Sequence, residues 1–283
     1  MSLVSLKPLL DNAKKGGYAV GSFNMLSLET VRGAIMAAEE LNSPIILQLA
    51  EVHMPYAPIE YMSLIMLEAA KQAKVPVAVH FDHGTCYESI ARAIKLGFSS
   101  VMFDGASSPF EENIRLTKEV SKMAHAMGVT IEAELGQVGG AEDGNIMVEA
   151  TLTKVSEAIT FASETRVDAL AVSIGNLHGE YTQPPKLRFD RLREISNSIG
   201  IPIVLHGGSG ISPEDFKKSV KYGIQKVNIA TAIQLCSTKK VRRILEEINK
   251  KPTYFSIMDS IIEGSYESIK EHILVFGSDG KGV

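Results

Sequence analysis

Eight times along this chain an apolar run of strand type gives way to an amphipathic stretch of helical type, and this alternation constrains the fold more than any other feature. The runs are YAVGSFN (18–24), PIILQLA (44–50), PVAVHFD (76–82), SSVMFDG (99–105), VTIEAEL (129–135), DALAVSI (168–174), PIVLHGG (202–208) and QKVNIA (225–230). Between them lie stretches such as SLETVRGAIMAAEELN (27–42), PFEENIRLTKEVSKMAHAMG (109–128) and SPEDFKKSVKYG (212–223), with apolar residues at three- and four-residue spacing. Ser27 ahead of Thr30, Ser212 before Pro213, and the glycines Gly128, Gly200 and Gly223 supply starts and stops. Strands rich in Val and Ile, bare of alternating polar residues and separated by helices, predict a parallel sheet covered on both faces. Eight such units, with no early GxGxxG after the first run, predict an α/β fold of the (β/α)8 TIM-barrel type rather than an open doubly wound sheet. The stretch from about 254 onward, containing SIMDSIIEGSYESIKEHILVFG, is expected as a C-terminal helical extension. Without a linker, charge block or short repeat to divide it, 1–283 is expected to form a single domain.

Composition narrows the partners. At 45% hydrophobic residues the chain can bury a large core, and a formal net charge of −4 argues against nucleic acid or an anionic membrane, which demand a basic face. Cys86 and Cys236 lie far apart without CxxC or CxxH spacing, which points to reduced thiols rather than a disulfide framework. The N-terminal MSLVSLKPLLDNAKKGG is amphipathic and interrupted by Pro8, and no apolar run reaches the ~20 residues of a membrane span, so a cytoplasmic protein is expected.

Barrel enzymes carry their chemistry at the C-terminal ends of the strands. Here those ends are polar almost throughout: Asn24, Glu51, Asp82 with His83, and Asp104 for the first four, then Glu132 and Glu134 within the fifth. Asn176 and His178 follow the sixth, His206 ends the seventh and Asn228 the eighth. Three imidazoles (His83, His178, His206) on three ends of one barrel face suit a catalytic zinc ion, which takes three nitrogen ligands and keeps one position open. Taken alone, His80 reads as a packed, hydrogen-bonded residue, and His53, His125 and His272 carry no assigned role. Asp104, Glu132 and Glu134 are rim carboxylates, one or two of which suit accepting the second N–H of a metal-bound imidazole. HGGSG (206–210) and NIAT (228–231) precede helix starts after the last two strands, where barrels hold phosphate; the plainer alternative is a turn that needs Gly207 and Gly208 only for positive φ.

With these residues assembled, the chain resembles the class II (zinc-dependent) fructose- and tagatose-bisphosphate aldolases, the ketose-bisphosphate aldolase family, from about residue 4 to the end. VAVHFDHG (77–84) matches the family's first signature, IEAELGQVGGAE (131–142) its second, and GNLHG and LHGGSG its remaining positions. The resemblance implies a lyase that cleaves a ketose 1-phosphate or 1,6-bisphosphate to dihydroxyacetone phosphate and an aldehyde. It implies that His83, His178 and His206 bind Zn2+ and that Asp82 is the acid/base at the C4 hydroxyl. Asn24, Gly179, Gly207, Ser209, Asn228 and Thr231 would hold the substrate and its phosphate, with Na+ or K+ nearby in some members. Glu142, on a loop at about 136–150, would assist proton exchange at C3, while Asp104 and Glu134 would line a second metal position. Relatives assemble as homodimers or homotetramers. Breaking the C3–C4 bond pushes electrons onto the C2 carbonyl, which explains a base and a metal ligand side by side in FDH: strand geometry is expected to turn the two neighbours apart, one to each task.

Three positions depart from the fructose-bisphosphate pattern. Ala50 replaces a serine, Ala230 replaces an acidic residue, as in tagatose-type members, and Gln234 stands where an arginine clamps the distal phosphate. Tagatose 1,6-bisphosphate is therefore the nearest substrate, with a 1-phosphoketose lacking the second phosphate as competitor. A metal-dependent barrel hydrolase would use the same histidines but needs an HxH pair at the first strand, where GSFN stands; a non-catalytic aldolase-like subunit would have lost metal or base residues. A Schiff-base route needs a lysine inside the barrel, and Lys226 is expected near the start of the eighth strand, on the wrong side for catalysis.

Overall fold

The computed structural model describes residues 2–140, 150–179, 181, 183, 185–246 and 251–282. Its strands are β1 (Val20–Asn24), β2 (Ile45–Ala50), β3 (Val77–Gly84), β4 (Ser100–Phe103), β5 (Thr130–Leu135), β6 (Gly139–Gly140), β7 (Ala169–Val172), β8 (Leu177–His178), β9 (Ile203–Leu205) and β10 (Ile224–Ile229). Eight of them close into a barrel in the order β1-β10-β9-β7-β5-β4-β3-β2, all neighbours parallel, while β6 and β8 pair in a separate two-stranded sheet. Each predicted run is thus a barrel strand. The ends shift: β9 stops at Leu205 because the carbonyl of His206 accepts from Asn176 Nδ2 (3.0 Å).

Helices follow the strands and cover the barrel. They are α1 (Leu6–Gly16), α2 (Leu28–Glu40), α3 (Ile59–Gln72), α4 (Tyr87–Leu96), α5 (Phe110–Ala126), α6 (Val155–Thr165), α7 (Phe189–Ser198), α8 (Pro213–Lys221), α9 (Thr231–Glu246) and α10 (Tyr254–Phe276). The starts obey the sequence: Ser27 and Thr30 form a reciprocal cap on α2, and Ser212 Oγ accepts from Asp215 N with Pro213 in the first turn of α8. Pro8 does not interrupt α1, since it lies in the first turn, where a backbone N–H has no helical partner to lose. The apolar face of that helix, Leu6, Leu9, Leu10 and Ala13, packs on Val20, Ile46, Ala78, Ala169, Ala171 and Val204 and closes the barrel floor.

The C-terminal extension is α10, capped by Thr253 and ended by left-handed Gly277. It lies across α2 so closely that a Cβ on Gly33 would sit 2.7 Å from the carbonyl of Ile262, which is why glycine stands there. Among the described residues no helix is long and apolar enough to cross a membrane.

Candidate active site

Strand alternation sorts β3. Val77, Val79 and Phe81 join the outer core, Ala78 joins the cluster on the barrel floor, and by the same parity His80 and Asp82 face the lumen. His83 breaks the rule. Its φ is +48°, a left-handed conformation uncommon for a residue with a side chain, and the pairing of β3 with β4 slips between Phe81 and Gly84. The expectation that strand geometry turns Asp82 and His83 apart is therefore corrected: a backbone irregularity brings both to one site. Strain of this kind persists where the surroundings over-determine it.

His83, Glu134, His178 and His206 offer ligand atoms that all lie within 4.8 Å of one another, so these four can hold a metal ion. The ring centroids of His83 and His206 are 4.6 Å apart, and those of His83 and His178 5.2 Å. His83 Nδ1 donates to Asp104 Oδ2 (2.7 Å) and His206 Nε2 donates to Glu132 Oε1 (2.9 Å). That commits one N–H of each ring to a carboxylate, and the remaining nitrogens, His83 Nε2 and His206 Nδ1, face each other at 2.8 Å. Burial pushes the His206 imidazole below its ordinary pKa, towards the neutral form that ligates metals. At that distance the two nitrogens share a proton or turn both lone pairs to one point, where a cation can replace it, and imidazoles anchored by carboxylates are the usual surroundings of bound zinc. The donor set therefore fits the metal expected from the sequence. Asp104 serves here as the partner of His83, and Glu134 Oε2 stands 3.6 Å from His206 Nδ1.

Asp82 is fully buried beside this cluster. Its carboxylate accepts from Gln48 Nε2 (3.0 Å) and Asn228 Nδ2 (3.0 and 3.2 Å). Burial alone would push its pKa up, but His83, His80, Lys226 and His206 outweigh it and hold the group well below the usual carboxylate range. Asn24 lies within the same net, accepting from Gln48 Nε2 and reaching His53 Nδ1 at 3.3 Å, so His53 touches the site although the sequence suggested no role for it. His80 packs as expected, with Nδ1 2.9 Å from Ser100 Oγ, yet its Nε2 comes within 3.7 Å of Asp82.

Lys226 stands near the start of its strand as expected, level with the floor residues Val20 and Val204, but its side chain adds a second correction. It points into the lumen, fully buried, with Nζ 3.0 and 2.8 Å from the two oxygens of Glu132, because it shares the inward parity of Asn228 two residues on. Burial would raise the Glu132 pKa, and Lys226 and His206 bring it down to about 2. His80, Asp82 and Glu132 also cluster as potential metal ligands, but the ammonium already lies against Glu132.

The other expected residues gather around one cleft: Asn24, Gln48, His178, Gly179, Gly207, Gly208, Ser209, Asn228, Ala230 and Thr231 line it, at the start of α9. Gly207 has φ +61°, and a Cβ there would lie 2.1 Å from the carbonyl of Leu177, so no other residue fits. Ser209 Oγ accepts from Ala232 N (3.0 Å), tying the glycine-rich turn to that helix start. Tyr181 bridges the two loops: its hydroxyl accepts from Leu177 N (2.7 Å) and donates to the carbonyl of Gly207 (2.9 Å). Glu142 lies outside the described residues.

A polar barrel mouth of this design has relatives. The family model for fructose-bisphosphate aldolase class-II matches residues 4–281. The chain belongs to that family. It is 40% identical to a sulfofructosephosphate aldolase of Alkalicoccus urumqiensis over 99% of both chains, and 40% identical to a fructose-bisphosphate aldolase of Staphylococcus aureus over the same shares. The crystal structure of the YdjI aldolase from Escherichia coli K12 superposes with a TM-score of 0.90 at 33% identity, covering 99% of this chain and 100% of that one. As a class II aldolase the chain is a lyase, which sets aside the hydrolase and the non-catalytic subunit. Within this aldolase, Gln48, Lys226 and Tyr181 are contacts the sequence reading missed. Gln48 and Lys226 were legible in principle, as single polar residues two positions before a strand-end residue that faces the lumen. Tyr181 carried no such signal, since only the folded loops bring its hydroxyl to Leu177 and Gly207.

Proposed function

We propose that this aldolase is zinc-dependent and cleaves the C3–C4 bond of a ketose 1-phosphate or 1,6-bisphosphate to dihydroxyacetone phosphate and an aldehyde. The observation that carries the reading is the pair of imidazole nitrogens held face to face beside the buried carboxylate of Asp82. His83, His178 and His206 would hold the ion, and when bound it supplies a Lewis acid for the charge left by the departing carbon. Asp82 takes the proton from the C4 hydroxyl in cleavage and returns it in condensation; Gln48 and Asn228 orient its two oxygens. Asn24, Gly179, Gly207, Ser209, Asn228 and Thr231 bind the substrate and its phosphate at the start of α9, where backbone N–H groups and the helix dipole favour an anion. Na+ or K+ beside the phosphate, a proton-exchange role for Glu142, a single cytoplasmic domain and an assembly of two or four copies belong to the same reading.

For the distal half, tagatose 1,6-bisphosphate is the nearest candidate. A 1-phosphoketose without a second phosphate has its own support: Ala50 lies opposite Asp82 in the β2–β3 register and Ala230 lines the cleft. The relatives' names span a bisphosphate and a sulfo-sugar phosphate, which share one phosphate on the ketose. The deciding experiment is a coupled assay for dihydroxyacetone phosphate release over C4 epimers with and without the distal phosphate. Chelator is expected to abolish release and Zn2+ to restore it; full turnover in chelated protein would sink the proposal.

A further inference from the structure

The middle of the lumen holds a fully buried ion pair that exchanges no proton with the substrate in the reaction described above. Lys226 Nζ reaches both oxygens of Glu132, and Glu132 Oε1 in turn accepts from His206 Nε2, so three side chains from β10, β5 and the end of β9 form one line that ends on the metal cluster. A buried ion pair of this kind does little for stability compared with apolar packing of equal volume. It does fix geometry. With its oxygens tethered from below, Glu132 offers one acceptor in one place, and His206 must present Nε2–H to it. The Nδ1 nitrogen is thereby left facing His83 Nε2 at 2.8 Å.

We infer that Lys226 is a positioning residue for the metal: acting through Glu132, it sets the tautomer and ring orientation in which His206 offers Nδ1 to the ion. The inference rests on the zinc reading above, which fails by itself if the wild-type protein binds no zinc. Glu132 holds a ligand's N–H, and losing such a partner typically changes metal affinity tenfold to a hundredfold; Lys226 acts on affinity through it.

The test is a double-mutant cycle read by zinc affinity, from competition with a chromophoric chelator, and by the visible absorption of the cobalt-substituted protein. Lys226→Met is expected to weaken zinc about tenfold or more and to alter the cobalt bands, because Glu132 loses its tether. In the Glu132→Gln background, where the amide oxygen still accepts from His206, the same substitution is expected to change affinity less than about threefold. A Lys226→Met protein that is folded and binds zinc as the wild type does overturns the inference, as does an equal loss in both backgrounds. If Lys226→Met does not fold, Glu132→Gln is compared with the charge-free Lys226→Met/Glu132→Gln pair. Equal affinity and matching cobalt spectra support the assignment, and a weaker double variant refutes it. A purely structural lysine would lower the unfolding midpoint of the metal-free protein and leave both metal readouts unchanged.

Discussion

In its lower part the barrel lumen is filled by Val20, Ile46, Ala78, Ala169, Ala171 and Val204, plugged by Leu6, Leu9 and Leu10 of α1; two to four residues further along β1, β2 and β3 stand Ser22, Gln48, His80 and Asp82, joined by the side chains of Glu132 from β5 and Lys226 from β10. The closed sheet and the burial are the same. The lower part gains free energy by removing apolar surface from water, and its demands are volume and shape. The upper part buries carboxylates and an ammonium that are expensive to desolvate and tolerable because Asp82 accepts from Gln48 and Asn228 while Glu132 lies against Lys226 and His206. One half of the lumen therefore stabilises the fold, and the other uses that stability to hold reactive groups still.

The largest expected effect breaks the upper half without the lower. Asp82→Ala should lower cleavage about a thousandfold while zinc binding persists; the coupled assay with a zinc titration reads both, and loss of the metal together with activity would contradict the division. The converse is Leu10→Ala, which empties part of the floor and should cost about 3 kcal/mol of unfolding free energy in urea. Its kcat/KM at a temperature where it stays folded should match the wild type. A smaller effect belongs to the clamp between the loops. Tyr181→Phe leaves Leu177 N and the carbonyl of Gly207 without the bridging hydroxyl, costing about 1–3 kcal/mol, and should raise the KM for the phosphorylated substrate more than it lowers kcat.

The smallest effect lies outside both halves and calibrates them. His272 packs among Phe23, Phe216 and Phe276, and burial pushes its imidazole below the ordinary value of 6.5. A depressed pKa in the folded state means that the unfolded chain binds the proton more readily. The contribution is thus complete above pH 6.5 and is lost as pH falls through the lower folded value. His272→Leu should flatten the fall of the urea midpoint between about pH 7 and pH 5.5; an unchanged slope would show that His272 is not the source.

Most of the frame was legible in the chain. Val- and Ile-rich runs separated by amphipathic stretches have few solutions other than a parallel closed sheet, and the polar strand ends mark its reacting face. Asp82, His178, His206 and Asn228 all came from that list. What misled was local parity. The dipeptide Asp82-His83 reads as two opposite faces of a strand, and the left-handed turn at His83 that unites them depends on the slipped pairing with β4. Lys226 reads as a residue at the entrance of its strand, whereas closure places it under His206 against a glutamate 94 positions earlier in the chain.

By itself the sequence determined the periodicities, and through them the barrel, the capped helices and the identity of the groups at its mouth, because those depend on spacing between near neighbours. The tertiary structure alone decided which nitrogen of each imidazole is tied back, which carboxylate meets which cation, and how the two loops lock through Tyr181. These contacts join residues distant in the chain, and their geometry exists only once eight strands have closed around a shared interior.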